Sequence, residues 1–160
     1  MKKKVDLKVK DLALVTIFAS AYAVLTWIFA PISFWQIQFR VSEVLKPAIA
    51  KKKVLCAAFM IGNFLANLMS PFADIFELVF MPIIGNLLVG YLAHKLSRGN
   101  YIVSGFIFAS GVALCVSWML EQLFSLPMLI TLPMLWISEQ VAMLLGSIVW
   151  DLVEKQWRWY

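Results

Sequence analysis

Long apolar runs separated by brief polar punctuation organise this chain. They cover Leu12–Phe29, Val54–Met69, about Phe72–Leu96, about Tyr101–Phe124 and about Met128–Val153. A bilayer-spanning helix needs ~20 apolar residues, with a range of roughly 17–25. Breaks fall at Ala30-Pro31, Ser70-Pro71 and Ser97-Arg98-Gly99-Asn100. A further segment, Val41–Ala50, departs from this pattern. It is short, follows Arg40, carries Glu43 and Lys46, and has Pro47 inside it. Hydropathy alone would reject it as a span. The first run also holds Ala19-Ser20-Ala21 and Ala21-Tyr22-Ala23, which look like signal-peptide cleavage sites. The run continues past them to Phe29, so it reads as a retained helix.

The charges decide what the short segment does. If it crosses, Lys2–Lys10, Lys51-Lys52-Lys53, Lys95 with Arg98, and Lys155 with Arg158 all fall on one side. The opposite loops, near Pro31–Gln38, Ser70–Ala73 and Ser125–Pro127, then carry no Lys or Arg. That is the positive-inside arrangement. The expectation is an all-α integral membrane protein, one domain over 1–160 with six transmembrane helices and a short second helix. A basic segment 1–10 and a polar tail 154–160 flank it, and both termini lie in the cytoplasm at the cell membrane. A short or broken helix at that depth requires protein or a water-filled cavity around it.

Composition agrees with this class. Of the 160 residues, 62% are hydrophobic and 14% charged, against ~25% charged in ordinary chains. Mean hydropathy is +0.85. The net charge of +5 sits between apolar runs, where it sets topology and gives no reason to expect nucleic-acid binding. Cys56 and Cys115 lie inside apolar runs and read as small buried hydrophobes. No metal-ligand spacing, phosphate loop, nucleophile elbow or H-E-x-x-H motif is present, so no enzyme, cofactor or metal is expected.

In this topology Glu43, Asp74, Glu77, Glu121 and Glu139 share the outer half with Arg40. Charged groups inside a membrane are functional-site candidates by default, since each costs ~2.5–3.5 kcal/mol at the bilayer centre. The alternative for Arg40 is a pair with Glu43 or Asp74 that only holds the bundle. Glu77 and Glu121 read as solvated near the interface. Asn63 and Asn67, four apart, share a helix face with Met60 and Ser70; Ser110, Ser117, Trp118 and Glu121 form another stripe. Such residues commonly bond across helix contacts. Trp136, one turn from Glu139, is the candidate stacking residue. A carboxylate beside an aromatic plane suits a flat heterocycle with adjacent N–H donors. The candidate binding residues are Gln38, Arg40, Glu43, Asn67, Asp74, Trp136 and Glu139. Ala19 and Ala23, four apart, allow close approach of another helix, in the bundle or from a partner.

Several of these stretches resemble a known family. Phe29-Ala30-Pro31-Ile32-Ser33-Phe34, Ile37-Gln38-Phe39-Arg40-Val41-Ser42-Glu43-Val44-Leu45, Ile61–Leu68 with Ser70-Pro71-Phe72 and Asp74-Ile75, and Ser138-Glu139 are similar to the QueT family of queuosine-precursor transporters. The resemblance covers most of the chain, and Gln-Phe-Arg-x-Ser-Glu is its most specific part. It implies a six-helix substrate-binding (S) component of an energy-coupling factor transporter, working with a transmembrane T component and two ATPase subunits. By the same resemblance, Ala19 and Ala23 match the motif that docks on the T component. The implied ligand is a 7-deazaguanine such as preQ1 or preQ0, whose guanine-like edge suits a carboxylate. The chain departs from the family pattern at Lys46, at Glu77-Leu78 and at Ala109-Ser110, which leaves room for a different ligand. Two readings outside this role are a stand-alone ion-coupled transporter, with Glu139 or Asp74 as the ion site, and a membrane scaffold whose charges only hold helices.

Overall fold

The computed structural model describes residues 9–34 and 39–160. Gln38 lies outside the described residues. The elements run α1 (Val9–Ile28), a single turn α2 (Ala30–Ser33), a 3-10 helix (Val41–Ala50), α3 (Leu55–Asn67), a π-wound helix (Phe76–Leu88) continuing directly into α4 (Val89–Ser97), α5 (Tyr101–Phe124) and α6 (Met128–Gln156). No strand occurs among the described residues.

Four stretches are long and apolar enough to cross a membrane: Val9–Ile28, Phe76–Ser97, Tyr101–Phe124 and Met128–Gln156. Of the six expected spans, four meet the length and composition of a span among the described residues. The 3-10 helix has only ten residues, and α3 stops at Asn67, just before Ser70-Pro71. The expected fourth helix also starts later, at Phe76, because Ser70–Asp74 is taken up by turns.

The surface is inverted relative to a soluble protein. Ile137, Leu144, Leu145 and Ile148 on α6 face outward, while Glu43, Lys46, Asn63 and Asn67 are buried. The chain returns to one end of the bundle three times. Lys52 meets Asp11 at 3.6 Å, Lys51 meets Glu154 at 2.9 Å, and Lys53, Lys95 and Arg98 line one shared cavity. Lys51, Lys52, Lys53, Lys95 and Arg98 thus gather at one end.

The 3-10 helix runs through the middle of this bundle. Residues at i and i+3 eclipse one another in 3-10 winding. Glu43, Lys46 and Ile49 therefore stack in one row, preceded by the extended residue Arg40 just outside the helix, and all four are buried. Neighbours press closely on this helix. A Cβ on Gly146 of α6 would sit 2.3 Å from the Val44 carbonyl oxygen, and the Trp150 indole N–H donates to the same oxygen at 3.1 Å. His94 Nδ1 lies 2.7 Å from the Ile49 carbonyl oxygen. On the opposite side, a Cβ on Gly62 of α3 would sit 2.9 Å from the Ala19 carbonyl oxygen. Ala19 and Ala23 are buried in the bundle. The small residues of α1 let α3 approach, which is the intramolecular one of the two readings of their spacing.

Candidate functional site: a buried polar cluster

The cluster begins with the charged row of the 3-10 helix. Glu43 accepts the Tyr22 hydroxyl at 2.6 Å through Oε1 and pairs with Lys46 Nζ at 2.5 Å through Oε2. Both partners of the ion pair are almost completely enclosed. The Lys46 ammonium also lies 4.7 Å from the centre of the Phe108 ring and 5.3 Å from that of Tyr22. These aromatic faces help compensate a desolvated cation. Thr26 Oγ1 and Ser42 Oγ are 2.8 Å apart and tie α1 to the row.

Arg40 caps the row, with Nε donating to the Ser33 carbonyl at 3.4 Å and its guanidinium 5.5 Å from the centre of the Phe34 ring. The charged groups acting on it are Glu43 and Glu77. Glu43 is thus bridged to Lys46, where the spacing had pointed to Arg40. The link between Arg40 and Glu43 is the backbone bond from Glu43 N to Arg40 O, 3.0 Å.

Two further elements complete the cluster. On α3, Asn63 donates to the Tyr22 hydroxyl at 3.5 Å, and Asn67 donates to Asn63 Oδ1 at 3.3 Å. Asn67 also donates to the Glu77 carbonyl at 2.7 Å, which joins α3 to the start of the π-wound helix. Glu77 is 3% exposed, so the reading of it as a solvated interface residue is corrected. It lies in the first turn of the π-wound helix. Glu121, by contrast, is exposed as expected. From α6, Glu139 is 5% exposed, and the charged groups acting on it are Glu43, Lys46 and Arg40.

The cluster has a consistent polarity. Asn67 Oδ1, Glu77 Oε2 and Glu139 Oε2 are buried without a hydrogen-bond partner. Asn67 Oδ1 is an acceptor, and the two carboxyl oxygens accept in the ionised form. Buried polar groups ordinarily find partners, so a set of orphaned acceptors in one place is a site that calls for donors.

Not every sequence candidate joins this cluster. Asp74 is half-buried, and its Oδ1 accepts the Glu77 backbone N–H at 2.9 Å, a capping bond at the helix start. Trp136 is 37% exposed. Its indole donates to Ser110 Oγ at 3.0 Å and meets Phe106 edge-on, on the rim between α5 and α6. The structure therefore places Trp136 outside the cluster, although it is one turn from Glu139. Gln140 shares that rim, donating to the Phe106 carbonyl and to Ser110 Oγ at 3.2 Å each. The stripe expected on α5 divides likewise, with Ser117 buried and Trp118 partly exposed. Tyr22 and Asn63 are cluster members that the candidate set missed. A tyrosine in mid-helix, whose hydroxyl must find a partner away from water, was the available signal. Lys46 and Glu77, which the candidate binding set did not include, are both inside. Cys56 and Cys115 are free thiols, buried and half-buried, and no group of metal-ligating side chains occurs among the described residues.

The chain matches the family model described as QueT transporter over residues 12–155. No curated protein and no solved structure matches it.

Proposed function

Because the chain belongs to the QueT transporter family, and so is a multi-pass membrane transporter and not an enzyme, we propose that it is the substrate-binding component of an ATP-driven energy-coupling factor importer. Its substrate in this reading is a 7-deazaguanine of the preQ1 or preQ0 type. It sits in the cell membrane, crosses six times with both termini in the cytoplasm, and acts with a T component and two ATPase subunits. The observation that carries the substrate reading is the set of unpartnered buried acceptors on Asn67, Glu77 and Glu139. A guanine-like edge presents adjacent N–H donors, and the Glu139 carboxylate accepts two of them. The aromatic faces nearest the row are those of Tyr22 and Phe108, which take over the stacking role first given to Trp136.

Mass spectrometry of small molecules that copurify with the detergent-solubilised chain tests this directly. A 7-deazaguanine retained by the wild-type protein and lost in Glu139→Gln supports the reading. A protein that binds no such heterocycle, with Glu139→Gln altering stability alone, overturns it in favour of a scaffold. The same carboxylates would serve a stand-alone ion-coupled carrier. Uptake that persists without ATPase subunits and collapses with the ion gradient would select that reading.

A further inference from the structure

The end of the bundle that gathers basic groups also holds a cavity of about 420 Å³. Its size falls in the range of roughly 300–1,000 Å³ usual for small-molecule sites. Ala50, at the end of the 3-10 helix, and Lys53, in the turn after it, line one side; Tyr91, His94, Lys95 and Arg98, on and after α4, line the other. The walls carry three full positive charges, on Lys53, Lys95 and Arg98, and no carboxylate. Neighbouring lysines have acidic partners: Lys51 pairs with Glu154, Lys52 with Asp11 and Lys155 with Asp151. Among the described residues, no carboxylate pairs with Lys53, Lys95 or Arg98. Lys53 instead lies over the Tyr91 ring, Nζ 4.8 Å from its centre. The positive-inside rule accounts for the side on which these cations fall. It does not account for three of them sharing one cavity without a counter-ion. The C-terminal end of α4 offers Lys95 and Arg98 only a partial negative charge, roughly half an elementary unit.

We propose that this cavity binds the headgroup of an anionic phospholipid. Lysine and arginine donors together suit the oxygens of a phosphate group. His94 fixes one wall. Its Nδ1 donates to the Ile49 carbonyl at 2.7 Å, which holds the ring against the end of the 3-10 helix. The surface beside the cavity selects a lipid over a free phosphate. Leu88, Leu92 and Leu96, four apart, are all exposed, and so is Tyr91 on the cavity wall. Residues at this spacing form one ridge along a helix. An acyl chain lies along that ridge while its headgroup enters the cavity, with Tyr91 at the depth usual for interfacial aromatics. Basic pockets beside membrane helices on the cytoplasmic side bind anionic headgroups, and this end is cytoplasmic in the topology proposed above. The identity of the transported solute does not enter.

Native mass spectrometry of the full detergent-solubilised chain tests this, with phosphatidylglycerol, phosphatidylcholine of the same acyl chains, or inorganic phosphate as the added probe. Phosphatidylglycerol should bind at least about 10-fold more tightly than phosphatidylcholine, since each Lys or Arg near an anionic lipid contributes a factor of about five. Combining Lys53→Gln, Lys95→Gln and Arg98→Gln should bring that preference to within about 2-fold. Lys155→Gln, at the same end but outside the cavity, should leave it unchanged. All four side chains are exposed, so the fold does not rest on burying them. Equal binding of the two lipids by the wild-type chain overturns the proposal whatever the variants do. So does a preference that survives the triple variant. A loss in Lys155→Gln as large as in the triple variant replaces the site with general attraction to a basic surface. Displacement of the lipid by millimolar phosphate assigns the cavity to a soluble anion and overturns the lipid source. A retained heterocycle is read in the same spectra, so failure of this proposal is distinct from failure of the transport reading.

Discussion

Tyr22 is the residue on which the cluster converges. Its hydroxyl donates to Glu43 and accepts from Asn63, so Tyr22→Phe leaves a buried carboxylate oxygen and a buried amide each short of a partner. That should cost about 1–3 kcal/mol, read from denaturation in detergent micelles. The Glu43–Lys46 pair should behave non-additively. Breaking it from one side, by Glu43→Gln or Lys46→Met, should cost about 3–5 kcal/mol, because one buried charge is stranded. The double variant should cost less than the two singles summed, and additive losses would show that the pair is not coupled. Charged residues were legible in the sequence because charge among apolar runs stands out whatever the fold; Arg40, Glu43 and Glu139 were found that way. Tyr22 was not, since hydropathy treats a tyrosine as ordinary wall. Trp136 lies apart from the cluster for a geometric reason. Three residues from Glu139, it shares a broad helix face, but that face is divided between the 3-10 row and the α5 rim.

At the level of elements, the two irregular helices set the site. The 3-10 and π segments carry Glu43, Lys46 and Glu77, and such winding is tolerated at membrane depth only where protein or a water-filled cavity encloses it. Enclosure here includes backbone contact from α6. Gly146→Ala should push its methyl against the Val44 carbonyl, with backbone on both sides and no side chain free to yield. The expected result is a loss of about 1–3 kcal/mol in stability together with weakened solute binding, since the charged row must shift. Unchanged binding would mean that the row tolerates displacement. The segment Val41–Ala50 was legible to the residue, because Arg40 and the lysine triplet bound it on either side. Its winding was not, because 3-10 geometry is imposed by neighbours and has no residue period of its own to read. The late start at Phe76 was hidden for a similar reason. Hydropathy does not separate an apolar turn from an apolar helix.

For the whole molecule, the outward-facing apolar surface and the common end of the basic groups make one testable claim about placement. With Cys56 and Cys115 replaced by serine, a single cysteine at Lys52 should react with a membrane-impermeant maleimide only in inside-out vesicles. A cysteine at Ser125 should react only from the outer face of whole cells. Reaction at Lys52 from outside would reverse the topology. Overall architecture was the most legible feature, since solvent exposure of apolar runs and the side on which lysines fall depend on sequence alone. The number of true spans was less so, because span counting assumes that every helix rises 1.5 Å per residue.

That assumption is where the 3-10 helix matters most. Ten residues rising ~2.0 Å each reach ~20 Å, as far as the thirteen residues of α3 at ~1.5 Å each. The segment is short in residues and of ordinary length in space. Rewound as an α-helix it would contract by about 5 Å, and successive members of its charged row would fan apart by about 60°, the difference over three residues between three and 3.6 residues per turn. Reach across the bundle and alignment of the charges are therefore a single mechanical coordinate. Anything that pulls on one end of this helix also adjusts the site.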